Sequence, residues 1–110
     1  MIIYMKNIAD IKRIAVVGAG TMGSGIAQLS AAAGYETILY DLDEKSVATG
    51  YDHIANNLRI AMEKGKVSGE AAKNNLERIT ATWNFQDLTG DVIIEAIVEK
   101  KEVKSELEKL

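Results

Sequence analysis

An apolar segment, Ile14-Ala-Val-Val, runs without a break into Gly18-Ala-Gly20-Thr-Met-Gly23, and this leaves the chain very little choice of fold. The spacing G-x-G-x-x-G demands a strand, a tight turn and a helix in direct succession, because each glycine meets a different steric need. Gly18 permits the turn. Gly20 lets a pyrophosphate approach the backbone, and Gly23 lets the following helix lie close to the strand. The start of that helix aims N–H groups and the positive end of its dipole at an anion. Gly18, Ala19, Gly20, Thr21, Met22 and Gly23 are therefore the candidate cofactor-binding loop.

Two neighbouring features support a dinucleotide reading. Ile11, Ile14, Ala15, Val16 and Val17 make the near-continuous apolar run of a parallel strand covered on both faces. A second strand over 36–40 ends at Asp41, about 20 residues past the glycines, where a carboxylate accepts hydrogen bonds from adenosine ribose hydroxyls. Leu42, Asp43 and Glu44 follow, with no Arg to neutralise a 2′-phosphate. The local negative charge favours NAD over NADP.

The rest of the chain alternates helices and strands. A helix over 21–33 stops at Gly34, and Asp43 caps a long helix ending near Lys64, with Gly65 as its stop. Val47, Tyr51, Ile54, Leu58 and Ala61 recur along it at helical spacing. Gly50 reads as a local weakness in that helix, costing about 1 kcal/mol relative to Ala. Ser68 opens a shorter helix over 69–76, so the two form a helical hairpin between the second strand and a third over 78–82. A fourth strand covers 91–96, and a charged helix follows from about Lys100. The implied architecture is α/β: a Rossmann-type parallel sheet in the order 3-2-1-4, counted along the chain and short of the usual number of strands. In that order strand 4 has a bare outer edge, prone to pairing with another chain, so a homodimer or higher oligomer is expected, formed or swapped through that edge or through the final helix.

Ligands in such a sheet sit at the carboxyl ends of the strands where the order reverses. This brings Ala96 and Glu99, and Lys104 beyond them, towards the nicotinamide side. Glu99 and Lys104 either reach the cofactor there or form the solvated start of a charged helix. His53, the one histidine, lies mid-helix with no Ser, Asp or Glu constellation around it, and reads as a surface or boundary residue.

Composition narrows the classes further. With 110 residues, 47% hydrophobic and 26% charged, the chain makes one globular domain with a modest core. A net charge of −3 argues against nucleic acid as partner, and no cysteine or metal-ligand spacing is present. No run approaches membrane-spanning length, and residues 1–5 are too short for a secretory segment, so a cytoplasmic protein is expected.

On these residues the chain resembles the N-terminal domain of L-3-hydroxyacyl-CoA dehydrogenases, the bacterial 3-hydroxybutyryl-CoA dehydrogenases most of all. The resemblance extends from about Ile11 to Leu110. It rests on the segment from Gly18 to Gln28, Tyr40-Asp41, the hairpin with Glu-Lys-Gly-Lys at 63–66, and Ile-Glu-Ala-Ile-Val-Glu at 94–99. It implies that the loop holds the NAD pyrophosphate, Asp41 the adenosine ribose, and Glu99 and Lys104 the nicotinamide side. It also implies that Lys64, with Asn57 a weaker candidate, contacts the coenzyme A of an acyl-CoA substrate. Ile60 stands where some relatives carry lysine. The implied reaction interconverts an L-3-hydroxyacyl-CoA and a 3-oxoacyl-CoA, as in fatty-acid or butyrate metabolism. The family's catalytic histidine, its glutamate partner, and its serine and asparagine match no position here, and His53 does not replace them. The chain is thus expected to be a truncated cofactor domain, inactive alone. A free-standing NAD-binding module, or the cofactor domain of a carnitine or other β-hydroxy acid dehydrogenase, are the alternatives.

Overall fold

The computed structural model describes residues 1–5 and 10–96. In chain order its elements are β1 (Ile2–Met5), β2 (Arg13–Val17), α1 (Thr21–Ala32), β3 (Glu36–Tyr40), α2 (Glu44–Glu63), α3 (Gly69–Glu77), β4 (Ile79–Thr82) and β5 (Val92–Glu95), with a short 3-10 turn at Phe85–Asp87 before β5. One mixed sheet runs β1-β5-β2-β3-β4. The pairs β5–β2, β2–β3 and β3–β4 are parallel, and β1 alone is antiparallel, with Ile2 opposite Glu95 and Met5 opposite Val92.

The strand over 91–96 is therefore not the bare edge expected of it. Its outer N–H and C=O groups require partners. Residues 2–5 supply them: Ile-Ile-Tyr-Met is a β-prone segment without a charge. Judged only as a leader, that segment has no structural meaning; given an edge to cover, it becomes a strand. The cover moves the open edge outward and leaves Ile2, Ile3 and Met5 exposed.

The sequence punctuates the helices where local chemistry requires it. Gly34 and Gly65 follow α1 and α2 with φ of 99° and 71°, a region that glycine enters without strain. The Asp43 carboxylate accepts from the Lys45 N–H at 3.3 Å, and Ser68 Oγ accepts from the Ala71 N–H at 3.0 Å, so each hairpin helix has a side-chain N-cap. The three α-helices of the described residues cover one sheet face: Ala27 and Ala31 of α1, Ile54 and Leu58 of α2 and Ala72 of α3 pack with Val16 and Leu39. On the other face, Ala15, Val17, Ile38, Tyr40 and Ile93 pack with Leu88, Phe85 and Tyr4. The helix expected from about Lys100 lies outside the described residues.

Candidate dinucleotide site

β2 ends at Val17 and the chain turns at once. Gly18 has φ 108°, and its N–H donates to the Tyr40 carbonyl at 2.7 Å, tying the turn to the end of β3. The next N–H, that of Ala19, donates to Asp41 Oδ2 at 3.0 Å, while Asp41 Oδ1 accepts from the Asp43 N–H at 3.1 Å. Asp41 is 4% exposed. One buried carboxylate thus fastens the glycine loop to the segment that opens α2. The Ala96 N–H donates to the Val17 carbonyl at 2.8 Å, which brings the end of β5 beside the same turn.

The glycines divide the work. A Cβ on Gly23 would lie 1.6 Å from the Gly18 carbonyl oxygen, so α1 approaches the loop at a distance no side chain allows. A Cβ on Gly20 would meet nothing within 4 Å, so that position faces open space. Gly20 is also the N-cap of α1; no side chain caps that end and no acidic residue stands in its first turn. The first-turn N–H groups, which have no intrahelical acceptor, are therefore available to an external anion.

These elements enclose an open cleft of about 610 Å³, lined by Gly18, Ala19, Gly20, Thr21, Met22, Asp41, Lys45, Ser46, Thr49 and Ala96. Seven of the residues singled out from the sequence meet here. Gly23 lies behind the wall as a packing residue. Glu99 and Lys104 lie outside the described residues. Lys64 and Asn57 are on α2 but away from the cleft. Lys64 is the exposed C-cap, 15 residues from Thr49 and so about 22 Å along the helix at 1.5 Å per residue. Asn57 Nδ2 donates to Gln28 Oε1 at 3.2 Å, joining α2 to α1. His53 is exposed on α2.

Lys45, Ser46 and Thr49 line the cleft although no sequence motif marks them. The signal that could find them is the Asp43 cap: it fixes where α2 starts, and hence which residues of its first turns face the loop. Ser46 Oγ donates to Asp43 Oδ2 at 3.0 Å. Lys45 makes no ion pair among the described residues and is the one cation in the lining. Gly50, one turn on, also departs from expectation. A Cβ there would lie 2.6 Å from the Ala19 carbonyl oxygen and 3.1 Å from the Ala19 Cβ. What reads locally as a weak point in a helix is the place where α2 touches the loop.

A dinucleotide fits this arrangement. Gly20 leaves room for a pyrophosphate over an uncapped helix start, and a buried carboxylate marks the far side of the loop. The volume is of the size that small-molecule sites have, about 300–1,000 Å³. Asp41 and Lys45 are the titratable groups of the lining, so the described cleft offers binding and orientation but no acid–base pair.

Comparison with known proteins agrees. Residues 13–109 match the family of the 3-hydroxyacyl-CoA dehydrogenase NAD binding domain. A 3-hydroxybutyryl-CoA dehydrogenase of Mycobacterium tuberculosis is 41% identical over 98 residues, covering 88% of this chain and 34% of that protein. One from Bradyrhizobium diazoefficiens is 40% identical over 100 residues, covering 90% of this chain and 34% of that protein. Among solved structures, (S)-3-hydroxybutyryl-CoA dehydrogenase from Ralstonia eutropha superposes with a TM-score of 0.82 at 33% identity, covering 91% of this chain and 36% of that one. The chain spans about a third of the length of the curated relatives it matches. From β2 onwards, then, the strand, glycine turn, helix and carboxylate assembled above are those of an NAD-binding Rossmann domain, and the chain belongs to the 3-hydroxyacyl-CoA dehydrogenase family.

Proposed function

We propose that this chain is the NAD-holding part of a cytoplasmic enzyme that interconverts L-3-hydroxyacyl-CoA and 3-oxoacyl-CoA. The observation that carries the reading is the open face of Gly20 over the uncapped start of α1, with Asp41 buried behind the loop. NAD, when bound, supplies the hydride acceptor for oxidation of the 3-hydroxyl to a ketone. The loop from Gly18 to Met22 holds its pyrophosphate through backbone N–H groups. Asp41, with Ser46 and Thr49 beside it, holds the adenosine ribose. Ala96 lies towards the nicotinamide half, and Glu99 and Lys104 are assigned to the same half on the family resemblance.

Substrate grip is assigned to the hairpin. Lys64 is an exposed cation at the end of α2, and its charge suits the phosphates of coenzyme A. Asn57 stands two turns back on the same helix. The catalytic acid–base residues are assigned to the remaining sequence of a longer enzyme. Self-association belongs to the same proposal, now through the outer edge of β1, where Ile2, Ile3 and Met5 present an uncharged apolar strand to a second copy. Sedimentation with and without residues 1–5 tests this, and a monomer in both cases would remove it.

The direct test is a fluorescence titration with NADH and NADPH, with Asp41→Ala alongside. The expected result is saturable NADH binding, stronger than NADPH binding and weakened in the variant. Equal affinity for the two nucleotides, or no binding of NADH, would overturn the assignment.

A further inference from the structure

We infer that Gly50 is a positioning residue for the glycine loop, and that Asp41 and α2 together fix the Ala19 backbone, one at its N–H and the other at its carbonyl. This rests on the dinucleotide reading for its consequence and on geometry for its substance. The Ala19 N–H is held by Asp41 Oδ2 at 3.0 Å. The Ala19 carbonyl faces the bare Cα of Gly50, where a Cβ would stand 2.6 Å from the oxygen. Ala19 is 3% exposed and Gly50 is buried, so neither side has room to give.

The obstruction at Gly50 is of a particular kind. Its nearest neighbour is a backbone oxygen, not the end of a flexible side chain, and Leu39 Cδ2 at 3.3 Å blocks a third direction. A methyl group there displaces the loop itself. Directly after Ala19 comes Gly20, the N-cap of α1, whose first-turn N–H groups face the cleft. Their aim therefore depends on where the Ala19 peptide sits. Misplacing oriented donors by a fraction of an ångström weakens an anion contact even though no contacting residue has changed. A glycine in the interior of a 20-residue helix, unfavourable for the helix alone, makes sense as a seat for the loop.

The test compares Gly50→Ala with Ala48→Gly in the whole 110-residue chain. Ala48 is exposed on the same helix, so its glycine variant weakens α2 without touching the loop. NADH affinity is measured well below the unfolding temperature, and exchange of the Ala19 amide is followed by NMR without nucleotide. Gly50→Ala should weaken NADH binding tenfold or more and speed Ala19 exchange. Ala48→Gly should lower the melting temperature and leave both unchanged. Wild-type affinity and wild-type Ala19 exchange in Gly50→Ala would overturn the inference. If the wild type fails to bind NADH while Gly50→Ala still loosens the Ala19 amide, the dinucleotide reading falls and the grip on the loop stands. Should Gly50→Ala not fold, the wild type decides: the Ala19 amide must exchange as slowly as those of β2, and exchange at the rate of an open loop refutes the grip.

Discussion

Gly23→Ala isolates the packing role of the third glycine. The added Cβ would sit 1.6 Å from the Gly18 carbonyl oxygen and 2.7 Å from its carbon. The helix and the loop must separate by well over 1 Å before that contact becomes tolerable. Overpacking of a core typically costs about 1–3 kcal/mol when side chains can yield. Here the obstacle is backbone, and the loop is held by the 2.7 Å Gly18–Tyr40 bond and by Asp41, so the cost belongs at the upper end, about 3 kcal/mol. Gly23 stands in the first turn of α1, where the interior helix propensity of alanine returns little. The net loss is then about 3 kcal/mol, against the roughly 5–15 kcal/mol typical of a domain, so the variant still folds. With a urea dependence of about 2 kcal/mol per molar, the midpoint should fall by about 1.5 M at unchanged slope. Circular dichroism during urea unfolding measures this. A variant with the wild-type midpoint would show that α1 does not need its close approach to the loop.

Neighbouring positions lend themselves to the same treatment. Gly20→Ala should lose no more than about 1 kcal/mol in the urea assay, the difference between glycine and alanine as the N-cap of α1, since its methyl meets no atom within 4 Å, yet bind NADH at least tenfold more weakly because that methyl enters the cleft; unimpaired binding in the titration would contradict the pyrophosphate assignment. Gly25→Ala, also with open space at its Cβ and inside α1, should be stabilised by about 0.5–1 kcal/mol in the same unfolding assay, and a lower midpoint would count against it. Asp91 Oδ2 accepts from the Lys12 and Arg13 N–H groups, which hold its carboxyl below the usual carboxylate range. Ionised Asp91 therefore contributes stability that is present above its unfolded value, near pH 4, and lost as pH falls through its lower folded value; Asp91→Asn should flatten the acid side of the stability profile, and an unchanged profile would refute the coupling.

What is legible in the sequence is what local chemistry dictates. Gly18, Gly34 and Gly65 stand at positive φ, and Asp43 and Ser68 cap helices, because a turn or a helix start requires those residue types whatever lies elsewhere. The glycine turn is legible for the same reason, whereas the bond from the Ala19 N–H to Asp41 spans 22 residues and is not local. The misses are all questions of distance. β1 is apolar either way; only the edge of β5, far along the chain, gives residues 2–5 a partner. Lys45, Ser46 and Thr49 line the cleft because α2 starts beside the loop, a proximity that helical periodicity does not carry.

Gly50 and Asp41 show how one residue acquires two meanings. Scored by propensity, Gly50 is a defect; the compensating contact is with Ala19, in a segment that no helical window includes. The spacing of Asp41 from the glycines is what proposes it for the ribose, and its geometry gives it a further duty, since both oxygens accept backbone N–H groups of the chain. Removing that carboxylate strips an acceptor from two buried or half-buried donors, a loss of about 1–3 kcal/mol each where burial is complete. A weakened Asp41→Ala variant therefore reports on the loop as well as on the proposed ribose contact, whereas Gly20→Ala leaves both bonds of that carboxylate in place and adds a methyl to the open side of the cleft. The two variants together separate the hold on the loop from the room left for the ligand, because one removes what fastens the loop and the other adds bulk where the ligand must sit.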